Sequence, residues 1–90
     1  MHECFDRAFR AADAELNRTY AAALRRSDAR GRVLLRGAQR AWIAYRDAEC
    51  RFQASESEGG TLYPVELLSC ELDLTKDRTR TLQRASVGAK

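Results

Sequence analysis

Between Leu34 and Phe52 the apolar residues Leu34, Ala38, Ala41, Tyr45, Ala48 and Phe52 recur in steps of four and three. That spacing lines one face of an α-helix and cannot be read as strand alternation. Phe5, Phe9, Ala12, Leu16, Tyr20 and Ala23 step in the same way upstream, and Val65, Leu68, Leu72, Thr75, Thr79 and Leu82 do so downstream. Ser27-Asp28 is an N-cap signal after the basic turn Arg25-Arg26, and so places a hairpin turn between the first two segments. Residues 53–63 hold Gly59-Gly60 and small polar side chains, and Pro64 suits the first turn of a helix. The pattern predicts helices at about 3–26, 29–53 and 64–84, a loop at 54–63 and a frayed tail at 85–90.

The second segment is apolar on more than one side. Leu35 and Trp42 flank its main stripe, while Ile43 and Cys50 point nearly opposite to it. A helix of that kind is buried on more than one side. The expected fold is therefore all-α, a single domain of three antiparallel helices with the second helix central.

Ninety residues make a small core, and a chain of this size gains from a covalent staple. Cys4, Cys50 and Cys70 form no C-x-x-C pair of the zinc-ribbon or redox kind. Cys50 falls near the end of the second helix and Cys70 near the start of the third, so an antiparallel pair brings them together as a disulfide. Cys4 projects away from the first helix's apolar face and is expected to stay unpaired. Disulfide chemistry points to an oxidising compartment.

Catalysis needs a nucleophile, an acid or base, or a metal set in a cleft. The single histidine is His2, at the terminus, with no further ligands at useful spacing, and Gly59-Gly60 lacks the lysine of a phosphate loop. No catalytic, cofactor or metal site is expected, and no small-molecule substrate. No stretch approaches the roughly 20 apolar residues of a membrane span, which predicts a soluble chain. The net charge of +3 rests almost wholly on arginine. Arginines interspersed with carboxylates, without a recognisable motif, make nucleic acid an unfavoured partner. Two groups of polar residues remain. Asp13 and Arg46 border facing stripes and suit a fold-orienting ion pair. Glu56 and Glu58 give the loop an acidic character, with Phe52 and Tyr63 as flanking aromatic anchors for a partner.

The run from Ala38 to Cys50, with its Trp-Ile-x-Tyr-Arg-Asp-x-x-Cys block, resembles the LprI-type lysozyme-inhibitor N-terminal domain, a family of small exported bacterial helical proteins. The likeness extends to Ala11 through Asn17 with Tyr20, to Gly59-Gly60-Thr61 with Tyr63-Pro64, and to Cys70 with Leu74-Thr75, Arg78 and Leu82. It implies a periplasmic or secreted protein, its signal peptide missing from this sequence, that inhibits lysozyme by steric occlusion. Relatives of this kind often carry a further cysteine upstream of the position of Cys4, and the sequence begins too late to include it. A structural cell-envelope protein and a basic nucleic-acid-binding domain are the alternatives.

Overall fold

A computed structural model describes residues 2–88, and the side chains of residues 3–85. Three long helices, α1 (His2–Arg26), α2 (Ala29–Gln53) and α3 (Tyr63–Gly88), are joined by a tight turn and by a loop holding one 3-10 turn, Ser55–Ser57. No strand occurs among the described residues. The expected boundaries stand within a residue, except that α3 runs on through the expected tail to Gly88. Residues 89 and 90 of that tail, like Met1, lie outside the described residues, as does the side chain of His2.

The first turn is built as its sequence requires. Gly31 N–H donates to Asp28 Oδ1 at 2.8 Å, capping α2. Ser27 Oγ donates to the Ala23 carbonyl at 2.8 Å and so closes the end of α1. Arg32 Nη1 donates to the Ser27 carbonyl at 2.6 Å, tying the turn to α2. A Cβ on Gly31 would sit 3.1 Å from Asp28 Oδ1 and 3.2 Å from Ser27 Cβ, a tight fit that glycine avoids. In the second connection Gly59 has φ +83°, in the left-handed region that favours glycine.

Helix order in space differs from the expected one. Most of the packing is between α1 and α3, α2 packs on α3, and α1 barely touches α2. The central helix is therefore α3, which corrects the expectation for α2. Contacts between Cys50 and Cys70, Arg46 and Thr75, and Gln39 and Arg78 show α2 and α3 antiparallel. Phe9 meets Arg46 across from the Ser27 turn, so α1 and α2 are antiparallel too. The molecule is long and thin, 47 × 21 × 16 Å.

Small side chains explain the tight α1–α3 pairing. Ala8, Ala11 and Ala12 of α1 face Lys76 and Thr79 of α3 across a shallow groove. The buried residues Leu16, Ala23, Thr75 and Leu82 lie on these two helices. Thr79 Oγ1 donates to the Thr75 carbonyl at 3.0 Å, a bond within α3 that lets the hydroxyl stay inside.

The rotation of α2 is the second correction. Its inward face carries Leu35, Gln39, Trp42, Arg46, Cys50 and the capping Ala54, with Gln39 only 6% exposed and Cys50 fully buried. The stripe that the periodicity marks as core is instead exposed along its whole length: Leu34 at 55%, Tyr45 at 54% and Phe52 at 73%, with Ala38, Ala41 and Ala48 exposed between them. Periodicity finds apolar faces but cannot rank two of them. Here the Cys50–Cys70 disulfide, with Cα atoms 5.5 Å apart, ranks them by turning the Cys50 side toward α3.

The bridge closes a segment of sequence separation 20. Constraining the unfolded chain in this way stabilises by about 3 kcal/mol. Urea unfolding with and without reductant is expected to show that difference. Equal stabilities would mean that α2 is held by its polar face alone.

Candidate functional site

The inner face of α2 is a polar and aromatic joint. The Arg46 guanidinium lies 5.2 Å from the Trp42 ring centroid and 5.4 Å from that of Phe9 on α1. Its Nε donates to Asp47 Oδ1 at 3.0 Å, and its Nη1 to Thr75 Oγ1 on α3 at 3.5 Å. The side chain is only 11% exposed. One cation thus touches all three helices and fills the gap that α1 and α2 leave between them. In place of the expected pair with Asp13, Arg46 takes its sequence neighbour as counter-ion. Lying across two rings, it aims its guanidinium at α3, while Asp13 is half-buried on α1 and forms no ion pair among the described residues. Arg78 covers Trp42 from α3 at 6.0 Å and donates from Nε to Gln39 Oε1 at 3.0 Å. No buried side-chain nitrogen or oxygen among the described residues lacks a partner. Everything in this cluster is satisfied internally, so its chemistry is that of a fastener.

A different character appears at the loop end of the bundle. A groove of about 490 Å³ opens there between Phe5 of α1, Gln53 of α2, Glu56 and Ser57 of the loop, and Val65, Glu66, Ser69, Cys70 and Asp73 of α3. Three carboxylates line it, Glu56, Glu66 and Asp73, and no basic side chain does. Ser57 Oγ donates to Glu66 Oε1 at 2.6 Å and fastens the loop to α3. The disulfide lies at its floor through Cys70. On a chain of net charge +3, this concentration of negative charge is local.

The expected loop residues divide between faces. Glu56 lines the groove, Glu58 is exposed at the end of the 3-10 turn, and Tyr63 is half-buried as the first residue of α3. Phe52 is exposed but outside the groove lining. Phe5 was expected only on the apolar face of α1, and Glu66 and Asp73 were not singled out by their sequence. A signal did exist, since Glu66, Ser69 and Asp73 step by three and four along α3 beside the returning loop. Cys4 is free and exposed, as expected. No group of three or more histidine, cysteine or acidic side chains among the described residues is placed to hold a metal ion. No described helix is long and apolar enough to cross a membrane.

Fold and site together define a disulfide-stapled, three-helix module with a satisfied interior and an acidic end. The chain belongs to the lysozyme inhibitor LprI family, whose model matches residues 1–82. It is 38% identical over 103 residues to an uncharacterised protein of Rhizobium meliloti (strain 1021), covering all of this chain and 74% of that one. It is 33% identical over 98 residues to the uncharacterised protein YecT of Escherichia coli (strain K12), covering 92% of this chain and 60% of the relative. No solved structure matches it.

Glu71 sits beside the joint, and burial holds its carboxyl above the ordinary value of 4.5. Asp47 pushes the same way, while Arg46 and Arg51 oppose it. A raised carboxyl favours the neutral form in the folded state, so its contribution to stability is full below the unfolded value and is lost as pH rises through the folded one. Glu71→Gln is therefore expected to melt higher than wild type at neutral pH, with the gap closing as pH falls toward 4.5. Paired melting curves across that range check this, and a gap independent of pH would contradict it.

Proposed function

We propose that this protein is an extracytoplasmic binding module that inhibits lysozyme by covering its cleft, with the loop between α2 and α3 and the acidic groove beneath it as the contact. The groove's three carboxylates, with no cation among its lining residues, carry the reading. Lysozymes are commonly basic, and a patch of opposite charge speeds encounter and fixes orientation even where the whole chain carries +3. A groove of this size takes one or two side chains, which suits a protruding arginine or lysine of the partner. The disulfide and the Ser57–Glu66 bond hold the groove walls before binding, which reduces the entropy lost on association. Glu58 extends the negative surface to the loop tip, and Tyr63 supplies an aromatic edge at the start of α3. Family membership favours lysozyme over an unidentified envelope partner. The interspersed carboxylates tell against nucleic acid. An exported location fits the disulfide.

The test is a lysozyme activity assay, run across lysozyme types, with the wild type and a Glu56→Lys/Asp73→Lys double variant. Both positions are exposed, so the helical circular dichroism should be unchanged. Inhibition is expected to weaken by roughly tenfold or more at low salt and by less at high salt, as rim charges do. Undiminished inhibition by the double variant would move the contact away from the groove. No inhibition by the wild type, with any lysozyme, would remove the reading altogether.

A further inference from the structure

Arginines and carboxylates that are interspersed over the chain as a whole are sorted by the fold. From Arg18 to Arg40, across the Ser27 turn, stand seven arginines and a single carboxylate, Asp28, which is used as the cap of α2. From Asp47 to Asp73, across the loop, stand seven carboxylates and a single cation, Arg51. Because α2 is antiparallel to both of its neighbours, Arg80 and Arg84 of α3 come to the turn end as well. A rod 47 Å long therefore has one basic end and one acidic end. Fields are screened over roughly 8 to 10 Å at ordinary salt, so the two ends do not cancel each other.

Much of the basic charge has no use within the bundle. Arg18 pairs with Glu15 and Arg80 with Asp77, while Arg32 ties the turn through the Ser27 carbonyl. Arg25, Arg26, Arg30, Arg36 and Arg40 are exposed and form no ion pair among the described residues. Arg32, Arg36 and Arg40 follow one another at i, i+4, a like-charge spacing that weakens a helix. Arg30, Val33, Arg36 and Arg40 step by three, three and four along one flank of α2, and Val33 is 59% exposed among them.

We propose that the turn end docks on the headgroup surface of a bilayer containing anionic phospholipid, with these five arginines on the phosphates and Val33 at headgroup level. Basic side chains around an exposed aliphatic one suit attachment at a membrane interface. None of the six lines either groove, so the charges lie on the outside of a hairpin, where a broad anionic surface meets several at once. Nucleic acid is the other polyanion to weigh. Against it, the exposed aromatic side chains Tyr45 and Phe52 lie in the half of α2 nearer the loop, which leaves the basic end none on which to stack bases. The disulfide also belongs to an oxidising compartment. The acidic end is repelled by the same lipid surface and is directed away from it, leaving the acidic groove open. The attachment does not depend on what that groove binds.

Sedimentation of the full chain with lipid vesicles tests this. Binding is expected to phosphatidylcholine vesicles holding roughly 30% phosphatidylglycerol, not to phosphatidylcholine alone, and should fall away at high salt. Arg26→Glu/Arg30→Glu should weaken it by roughly 30-fold or more, at about fivefold for each arginine lost from the surface. Arg26→Lys/Arg30→Lys should keep it. Arg7→Glu/Arg51→Glu makes the same change in net charge in the acidic half and should bind like wild type. Cys4 is free, exposed and at the acidic end, so a polarity-sensitive dye on it should not respond to vesicles. The same dye on Ala29→Cys in a Cys4→Ser background should shift to the blue. No binding, equal binding to both kinds of vesicle, or equal loss in the two glutamate variants overturns the proposal. So does tighter binding to duplex DNA than to the anionic vesicles at the same salt, which would assign the end to nucleic acid. A response from Cys4 without one from Ala29→Cys overturns the orientation. Should Arg26→Glu/Arg30→Glu lose its helical circular dichroism, the lipid dependence and the two dye positions decide. Failure of the Glu56→Lys/Asp73→Lys test would leave the attachment untouched.

Discussion

A covalent bond at Cys50 decides which way the second helix faces. Residues on a helix are fixed at about 100° to one another, so turning Cys50 toward Cys70 brings Gln39 and Arg46 inward with it and carries Leu34, Tyr45 and Phe52 outward, about 160° away. Without that constraint α2 has two apolar faces of similar strength and no local reason to prefer either. The bond therefore does more than restrict the unfolded chain. It commits the buried side of α2 to a polar and aromatic surface and leaves the Leu34, Tyr45 and Phe52 side exposed.

Burying that polar surface is tolerable because each group in it has a partner. A guanidinium removed from water is costly unless its charge and its N–H groups are met. Asp47, Thr75 and the faces of two rings meet those of Arg46, and Gln39 with Trp42 do the same for Arg78. The Trp-Ile-x-Tyr-Arg-Asp-x-x-Cys block thus sorts by face. Trp42, Arg46, Asp47 and Cys50 build the joint between helices, while Tyr45 looks outward. The most recognisable stretch of the chain is mainly architecture, and the acidic groove is assembled from pieces spread over three helices and a loop.

Helix boundaries and the disulfide were legible in the sequence because both depend on short-range chemistry. The N-cap at Asp28, the glycine pair, Pro64 and cysteines at facing helix ends each act within a turn or two. Helix order and the rotation of α2 were not legible, because they depend on which of several adequate apolar surfaces meet. The sequence did contain the conflict: Cys50 and the Leu34 stripe lie on opposite sides of one helix, and a helix at the edge of the bundle can bury only one of them. Glu56 and Glu58 were visible as an acidic loop. Glu66 and Asp73 read as ordinary surface charge until α3 is placed beside that loop, as the Ser57–Glu66 bond shows. Asp13 and Arg46 border facing stripes, yet proximity of stripes says nothing of where a long side chain lays its guanidinium.

Rigidity and exposed carboxylates meet at the loop end of the bundle. Helix α3 carries the load, packed on α1 along its length and bonded to α2 at the loop. The loop is short, closed by the bond from Gly60 N–H to the Ser57 carbonyl at 2.9 Å, and the carboxylates it brings to α3 have no internal cation among the groove residues. The most direct test of this arrangement is to titrate lysozyme into isotope-labelled protein and follow the backbone amide resonances. Changes should concentrate in residues 54–62 and in the α3 residues around Glu66 and Asp73, with the Arg46 joint unmoved. Changes confined to the outer face of α2 or the α1–α3 groove, or none at saturating lysozyme, would contradict it.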